Sequence, residues 1–157
     1  MTMITQAELR AKYSYCDGFL VSRVTGHRIA GSSDARDYRY IYIKPLKQRY
    51  HRVVWAWHHG PTDKRIDHID RDPSNNRIEN LRLCNQMQNL GNSPARKGNK
   101  SGFKGVSWSA NARRWRADIA INGKTKNLGY YSTAEEAARV YDAHATKYFG
   151  EFAFTNF

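Results

Sequence analysis

The sequence has little cysteine and no long apolar run. Only two of its 157 residues are cysteines, too few for a zinc ribbon or a disulfide framework, which favours a reducing cytoplasm as the compartment. No stretch of 18 or more apolar residues occurs, so no transmembrane helix is expected. The start of the chain is polar, without a visible secretory leader, and no basic amphipathic helix indicates binding to a membrane surface.

Acidic residues are also scarce. The chain has 26 Lys and Arg against 14 Asp and Glu, a formal net charge of +12. Such a chain is attracted to polyanions, so we expect nucleic acid as its partner and neither a membrane nor a small-molecule substrate. The length permits one ordinary domain or two small ones.

Large aliphatic residues are few in the first fifty positions, which predicts a small N-terminal unit with little core of its own. Residues 4–12 can form a short helix, and strand patterns follow at 19–21 and at 38–43, the second ending before Pro45. We expect a small antiparallel sheet that braces the centre of the chain. It exposes three arginines that either belong to this structural part or contact phosphate: Arg36, Arg39 and Arg49.

Residues 50–59 have apolar positions at helical spacing and are followed by Gly60 and Pro61, which predicts a helix ending at Gly60. Its two tryptophans are expected in the core. The histidines at its end, His58 and His59, are expected to cap carbonyls and not to act in catalysis.

The centre of the chain holds an adjacent Asp67-His68 pair in a run that alternates apolar and polar residues like a strand. Turn-forming residues at 72–76 separate it from a second strand at 80–83. A short helix is predicted next, at 84–90. Strand, loop, strand and helix make a small hairpin capped by a helix.

This helix carries Asn85 and Asn89, four residues apart, on one face, so the fold can bring Asn89 close to Asp67 and His68. Carboxylate and amide oxygens suit Mg²⁺ or Mn²⁺, and a neutral imidazole beside them can take a proton from water. The set predicts metal-assisted hydrolysis of a phosphodiester. A lone Asp-His dipeptide is usually solvated surface, and it is the spaced set that carries the prediction.

Residues 50–92 contain YHRVVW, IDHID and NNRIENLR, followed by Asn89, and resemble the HNH (ββα-metal) endonucleases, in particular the homing and mobile nucleases of phages. The resemblance implies Asp67 as the first metal ligand, His68 as the general base and Asn89 as the last ligand. It also implies that Asn80 ties down the loop that holds the histidine. The founding pattern has His in place of Asn89; Asn occurs there in the homing subgroup, and the difference bears on the choice of metal.

Other residues near this set have supporting or open assignments. His51 matches a position that the family places close to the active site, and a supporting role is expected for it and for Asn85. Arg77 and Arg82 either clamp the scissile phosphate or form a solvated salt-bridging face.

The composition changes at residues 93–102, which are small, polar and basic and show no apolar periodicity. This segment is predicted to be a linker. Its cations, among them Arg96 and Lys97, either follow a phosphate backbone or belong to a solvated tether.

The residues after the linker predict three strands, at 102–108, 115–122 and 124–131, the last two joined by an Asn-Gly turn. A capping box at 133–136 then starts a helix that runs to Gly150. Apolar residues alternate along the strands, so that one face of the sheet packs on this helix.

This segment, GFKGVSW…RRWRADIAINGKTKNLGYYSTAEEAARVYDAHATKYFGEFAFTNF, resembles the ethylene-response-factor (Apetala-type) DNA-binding domain of plant transcription factors, which also occurs fused to phage HNH nucleases. In that family the sheet lies in the major groove and its outward side chains contact bases and phosphates. A protein-interaction module with a solvated basic face is the alternative. Ser107, Ala120, Thr125 and Asn127 stand where plant members have base-contacting Arg or Trp, so no recognition sequence is implied.

The residues predicted to contact DNA lie in this module, the linker and the central loop. They are Lys104, Trp108, Arg113, Arg114, Arg116, Lys124, Lys126, Arg96, Lys97 and Arg77. Contacts of cations with phosphate predict binding that weakens steeply as salt rises.

The sequence therefore predicts an α+β protein in three parts. Residues 1–92 form the N-terminal small antiparallel sheet and the HNH domain, with the ββα-metal hairpin and helix at 50–92; a basic linker follows at 93–102; and 103–157 form a three-stranded antiparallel sheet packed on one helix.

The predicted function is a site-selective DNA endonuclease of the homing HNH type. It would nick or cleave double-stranded DNA with one Mg²⁺ or Mn²⁺, in the cytoplasm of a bacterial host that carries the phage. The alternatives are a non-catalytic DNA-binding regulator that keeps the nuclease fold as a scaffold, and a nuclease directed at RNA. The target sequence and the oligomeric state are left open.

Overall fold

The structure, a computed structural model, describes residues 4–43 and 46–157. The chain forms two compact units, Met1–Cys84 and Asn85–Phe157, so the second unit begins ahead of the predicted linker. The α+β class is confirmed, since the described residues form four α-helices and several small antiparallel sheets. In these ranges no helix combines the length and the apolar character that crossing a membrane requires.

The first unit is built from two α-helices and seven short strands in the part of the chain described. In order these are α1 (Gln6–Lys12), β1 (Tyr13–Cys16), β2 (Phe19–Ser22), β3 (Ser32–Ser33), β4 (Arg39–Ile43), β5 (Leu46–Arg49), α2 (Tyr50–His59), β6 (Arg65–His68), the 3-10 turn Ile78–Asn80 and β7 (Leu81–Cys84). The strands form separate antiparallel sheets ordered β1-β2, β3-β4-β5 and β6-β7. Pro45, predicted to end β4, lies outside the described residues.

Helix α2 lies at the centre of the core of this unit. Its Val53 and Val54 are buried against Leu9 of α1, Leu20 of β2 and Ile41 of β4. Burying each such side chain is worth about 1.5–3 kcal/mol. The helix has the predicted bounds and ends at Gly60, and its tryptophans pack partly buried against the same core, as predicted.

The end of α2 is capped by α1. The side-chain amide of Gln6 donates to the carbonyls of Trp57 at 3.1 Å and His58 at 2.7 Å, and Arg10 Nε donates to the Trp57 carbonyl at 3.0 Å. The expectation that His58 and His59 cap these carbonyls is wrong. Helical side chains lean toward the N-terminus, so imidazoles in the last turn point away from the final carbonyls, whereas the long side chains of α1 reach them.

The core also contains one buried polar link. The Tyr50 hydroxyl donates to the Ile29 carbonyl at 2.8 Å and accepts a hydrogen bond from the Leu20 backbone N–H at 2.7 Å. It therefore satisfies two backbone groups in a nearly inaccessible place, and it joins α2 to the N-terminal strands.

Strands β6 and β7 pair in antiparallel register, with Asp67 opposite Arg82 and His68 opposite Leu81. The run that contains Asp67 and His68 is a strand as predicted, and the second strand is shifted by one residue from the predicted 80–83. Asn80, predicted to begin the second strand, instead ends the 3-10 turn before it.

The second unit contains α3 (Gln86–Asn92), β8 (Val106–Ser109), β9 (Arg114–Ile121), β10 (Lys124–Tyr131), α4 (Ala134–Phe149) and a closing 3-10 turn, Gly150–Phe152. Its sheet has the order β10-β9-β8 and is antiparallel. The predicted capping box is present, since the Thr133 hydroxyl accepts from the Glu136 N–H and the Glu136 carboxylate accepts from the Thr133 N–H.

The sheet packs on α4 as the alternation predicts. Val106 and Ala117 are buried against Ala137 and Ala138, with Trp115 partly buried beside them. The first strand, however, starts at Val106 and not near 102. Gly102 and Gly105 have φ of +76°, a left-handed conformation that interrupts an extended strand.

Helix α3 begins two residues later than predicted because Asn85 is its N-cap. The Asn85 side chain accepts from the Gln88 N–H and the Gln88 side chain accepts from the Asn85 N–H, both at 2.8 Å. At its other end the Lys104 ammonium donates to the carbonyls of Leu90 at 3.1 Å and Gly91 at 2.5 Å. Asn85 and Lys104 thus each have a capping role that the sequence did not suggest.

Candidate active site and nucleic-acid interface

Strand β6 ends in the two residues that the sequence singles out. Asp67 and His68 are 8% and 5% exposed, so neither is ordinary solvated surface. A titratable pair that is buried at a strand end, beside a polar loop, is the arrangement found in functional sites more often than on a plain surface.

The His68 ring is held by a buried asparagine. Its Nε2 lies 3.2 Å from Oδ1 of Asn76, which is 3% exposed. The Asn76 Nδ2 donates to the Ser74 carbonyl at 3.0 Å, which assigns Oδ1 as the acceptor facing the ring. The neutral ring therefore carries its proton on Nε2 and its lone pair on Nδ1.

The protein interior keeps this imidazole neutral. Burial lowers the pKa of His68, and the opposing effects of the hydrogen bond to Asn76 and of the Asp70 and Asp67 carboxylates are smaller. A neutral imidazole is the form of histidine that a general base requires.

His51, at the start of α2, lies directly against this ring. The two imidazole centroids are 5.1 Å apart in a T-shaped contact, and the Tyr38 ring lies 5.9 Å from His51 and 6.1 Å from His68. Burial lowers the pKa of His51 to about 3, so it is neutral as well. The structure brings His51 and His68 together, as the expected supporting role requires.

Asn80 fixes the loop after His68 from inside. Its Oδ1 accepts from the Asp70 N–H at 3.0 Å, and its Nδ2 donates to the Asp70 carboxylate at 2.8 Å and the Asn75 carbonyl at 2.9 Å. These bonds close residues 70–80 into a compact loop. The side chain thus makes the loop contacts that its predicted role requires.

The N-terminal hairpin supports the same loop from outside. The Tyr15 hydroxyl accepts from the Ile78 N–H at 2.9 Å, and Arg77 Nε lies 2.7 Å from the Asp17 carboxylate in an exposed ion pair. Gly18 has φ +82°, and a Cβ there would come within 3.1 Å of the Arg77 backbone nitrogen. This glycine allows the hairpin turn to touch the loop.

Asp67 faces a cation across the strands. Arg82 Nε lies 3.1 Å from Asp67 Oδ2, with both side chains largely buried. This pair is not the solvated salt-bridging face that was the alternative for Arg82. The contact balances the charge of a carboxylate that burial would otherwise penalise.

The predicted metal ligands are Asp67 and Asn89, and their oxygens are the kind that Mg²⁺ and Mn²⁺ bind. Asn89 lies on α3, which belongs to the second unit. Within the described ranges, no group of three or more His, Cys, Asp and Glu residues is arranged to hold an ion. The donor chemistry of the two residues fits a hard divalent cation, and Asn89 contributes an amide and not one of those four residue types.

The outward face of the second unit's sheet carries the predicted DNA contacts. Arg114, Lys124 and Lys126 are exposed, and the Arg116 guanidinium lies 2.7 Å from the Asp118 carboxylate. Arg113 has φ +49° in the turn before β9. The face is thus basic, with one arginine held in place by an acid.

A cavity of about 940 Å³ lies between the linker residues and this sheet. Its lining includes Arg96 and Lys97 of the linker and Trp108, whose side chain is half exposed. Trp108 packs at its edge on Trp115, 5.3 Å between ring centroids. With Lys104, which also lines the cavity, four of the predicted DNA-contact residues share one concave surface.

The sequence missed Asn76 and Tyr38 as parts of the site. Asn76 stood among turn formers, next to another asparagine, and nothing in the sequence tells which of the two points inward. Tyr38 lies 30 residues from His68 along the chain, and only the packing of β4 against α2 brings its ring near.

Comparison with known proteins gives this geometry a family. Residues 48–90 match the family described as HNH endonuclease. Protein 3.8 of Escherichia phage T7 is 37% identical over 108 residues, which cover 68% of this chain and 87% of that protein. The uncharacterized HNH endonuclease L560 of Acanthamoeba polyphaga mimivirus is 36% identical over 96 residues, 61% of this chain and 49% of that protein.

No solved structure matches the chain. The HNH match covers α2, β6, β7 and most of α3, the elements that carry His51, Asp67, His68 and Asn89. The T7 match extends over most of a phage protein. The chain therefore belongs to the same family as Protein 3.8 of phage T7, and its residues 48–90 form an HNH endonuclease domain.

Proposed function

We propose that this chain is a metal-dependent, site-selective DNA endonuclease of the homing HNH type, which nicks or cleaves double-stranded DNA. The observation that carries the proposal is the buried His68 beside the buried Asp67, with its Nε2 held by Asn76. A protein that only binds DNA would not need a buried histidine whose ring is held in one orientation at the end of a strand.

In this mechanism His68 accepts the proton of the attacking water at Nδ1. Asn76 keeps the ring in the required tautomer, and Asn80 keeps the loop closed behind it. The side chain of His51 excludes water from one side of the ring. Orientation of a base in this manner contributes through proximity and pre-organisation.

Asp67 and Asn89 would hold one divalent ion, Mg²⁺ or Mn²⁺. When bound, this ion supplies positive charge to the phosphate and to the departing oxygen of the sugar. Arg82 stays on Asp67 Oδ2 and fixes the orientation of that carboxylate.

The second unit would position the protein on DNA. Its basic sheet face resembles the ethylene-response-factor type of DNA-binding domain in sequence, and residues 96–157 hold 11 Lys and Arg against 5 acidic residues. A small metal site carries little sequence information, so a separate reader is needed to select the place of cleavage. The proposed place of action is the cytoplasm of a phage-infected bacterium.

The test is plasmid cleavage with Mg²⁺ or Mn²⁺ by the wild type and by the His68→Ala variant. The variant is expected to bind DNA with unchanged affinity and to cut at least about a hundredfold more slowly, since general bases contribute on the order of 10²–10⁴-fold. Equal cutting by both proteins would remove His68 from the mechanism.

Assays of the same wild-type protein distinguish the proposed nuclease from the two alternative functions. Binding of DNA without cutting by the wild type, in either ion, would identify a non-catalytic regulator. Preferential cutting of RNA in a mixture with duplex DNA of the same sequence would identify an RNA-directed nuclease.

A further inference from the structure

One face of the β4–β5 hairpin alternates tyrosines and cations and does not contribute to the core. The isoleucines of β4 are buried, so Tyr40 and Tyr42, which alternate with them along the strand, point the other way. In the hairpin register Arg49 is opposite Tyr40 and Lys47 is opposite Tyr42. Together with Tyr38, these four residues form what we term the tyrosine-cation face.

The cations of this face lie over the tyrosine rings. Lys47 Nζ is 4.8 Å from the centroid of Tyr40, and the Arg49 guanidinium is 5.0 Å from the centroid of Tyr38. Each of the two rings is thus covered on one side, which leaves it poorly suited to stack on a nucleobase. What the face offers to a ligand is positive charge and the edges of phenol rings.

These charges are not neutralised by acids. Among the residues that the structure describes, neither Lys47 nor Arg49 forms an ion pair, and both are exposed. The acidic neighbour is Asp34, whose carboxylate accepts from the Arg36 and Tyr38 N–H groups and from the Tyr40 hydroxyl. That carboxylate holds the turn before β4 in place, and the face keeps a net positive charge.

The face begins at the candidate base. The Tyr38 ring lies 6.1 Å from the His68 ring, and the row of residues continues from it along β4 to Tyr42, which is 63% exposed. All of these residues belong to the first unit. A polyanion bound along the tyrosine-cation face would therefore reach His68.

We propose that the tyrosine-cation face binds the sugar-phosphate backbone of the DNA strand that His68 attacks. This inference rests on the proposed nuclease function. Lys47 and Arg49 contact phosphates without reading bases, and they set the position of the strand independently of the second unit. The occupant is a nucleic-acid backbone because the face is cationic, exposed and adjacent to a phosphodiester-cleaving base.

The test measures the salt dependence of DNA binding by full-length protein. Fluorescence anisotropy with a labelled duplex, in EDTA so that nothing is cut, gives the slope of log affinity against log salt. Lys47→Ala with Arg49→Ala is expected to reduce this slope by about two and to weaken binding about tenfold to a hundredfold at 0.1 M salt, since each phosphate contact contributes about 0.9 to the slope. The loss is expected to be equal for unrelated duplex sequences.

The matched control is Lys12→Ala with Lys64→Ala, which removes the same charge from two other exposed positions of the first unit. This control pair is expected to leave the slope nearly unchanged. The exchange variant Lys47→Arg with Arg49→Lys keeps both charges and is also expected to leave the slope nearly unchanged. The inference is overturned if both alanine pairs reduce the salt slope equally, or if Lys47→Ala with Arg49→Ala does not reduce it. It is also overturned if the loss of affinity occurs only with duplex RNA. If plasmid cleavage persists in those cases, the nuclease proposal stands; absence of both binding and cleavage in the wild type would remove the nuclease proposal itself.

Discussion

At the scale of single residues, the contact between Asn76 and His68 determines which nitrogen of the ring can act as a base. We expect Asn76→Ala to lower kcat by about tenfold to a hundredfold, because a ring displaced by about 1 Å loses that much. KM is expected to stay unchanged, since the Asn76 side chain is buried and not on the surface where DNA would bind. Asn76→Asp, which keeps an acceptor oxygen, is expected to restore part of kcat, whereas Asn76→Leu is not; steady-state cleavage kinetics would show whether rescue follows the oxygen or only side-chain volume.

The Tyr50 hydroxyl gives a second prediction at this scale. Tyr50→Phe leaves the Leu20 N–H and the Ile29 carbonyl without their partner, so the free energy of unfolding is expected to fall by about 1–3 kcal/mol. Urea denaturation measures this change. Tyr42→Phe, at an exposed position, is the control and is expected to change stability by less than about 0.5 kcal/mol.

The buried imidazoles make stability depend on pH. Burial lowers the pKa of His51 to about 3 and also lowers that of His68, so the unfolded chain binds more protons than the folded one below pH 6.5. The stabilisation is fully present above that pH and is lost as the pH falls toward the folded pKa. For His51 alone, the free energy of unfolding is expected to drop by about 2 kcal/mol between pH 6.5 and 5.

Denaturation curves at pH 7 and pH 5 measure this drop. His51→Phe is expected to flatten the pH dependence, whatever its effect on stability at pH 7. His27→Phe, at an exposed histidine, is expected to leave it as in the wild type. Equal pH dependence in all three proteins would mean that His51 binds protons equally in the folded and the unfolded state.

The sequence can predict a site residue when its position in a spaced motif identifies it. It cannot predict a residue that reaches the site only because of how the chain packs. Asp67, His68, Asn80 and Asn89 recur at the offsets of a family, so they could be named in advance. Asn75 and Asn76 are chemically identical neighbours, and the fold alone turns one toward His68 and the other toward Asp70.

At the scale of elements, the β1–β2 turn contacts the loop after His68 at Gly18, beside Asn76 and Arg77. Gly18→Ala is expected to cost more stability than Gly26→Ala. Both positions have left-handed φ, of +82° and +71°, but a Cβ meets Arg77 only at Gly18 and open space at Gly26. The conformational cost is about 1–2 kcal/mol in each case.

Thermal denaturation of the two variants measures the loss of stability, and plasmid cleavage measures the disturbance of the loop. The added contact in Gly18→Ala pushes on residues 76 and 77, so cleavage is expected to fall there even at temperatures where the protein is folded. Gly26→Ala is expected to cleave like the wild type. Equal activity in the two variants would show that the turn does not support the loop.

Helices and strands were predictable where their signals are local. The capping box at Thr133 and the glycine after α2 stand beside the elements that they end, and those bounds agree with the structure. The capping of α2 by Gln6 and Arg10 joins residues about fifty positions apart, and no local pattern carries such information. The same holds for Lys104 at the end of α3.

At the scale of the whole molecule, the two units are expected to divide placement and chemistry. Arg114→Ala with Arg116→Ala removes two charges from the sheet of the second unit and leaves the first unit untouched. We expect cleavage to spread over more positions of a long DNA, because the reader is weakened while His68 is intact. Sequencing the ends produced from a phage or host genome would measure this spread against the wild type.

An unchanged pattern of ends would contradict this division of work. The His68→Ala variant is the complementary control, since it is expected to bind where the wild type cuts.

The net charge of +12 made nucleic acid the expected partner without any structure, but charge alone does not say which unit selects the site of cleavage. The compact units, divided at Cys84, were not predictable because the change in composition comes only after Asn92.

The contact between Arg82 and Asp67 bears on whether the protein needs a bound ion in order to fold. With an arginine permanently beside the carboxylate, folding has no need of a bound ion, in contrast to small zinc domains that unfold without theirs. Under the proposed function, the rate of DNA cleavage is then expected to follow the supply of the divalent ion and not the supply of folded protein.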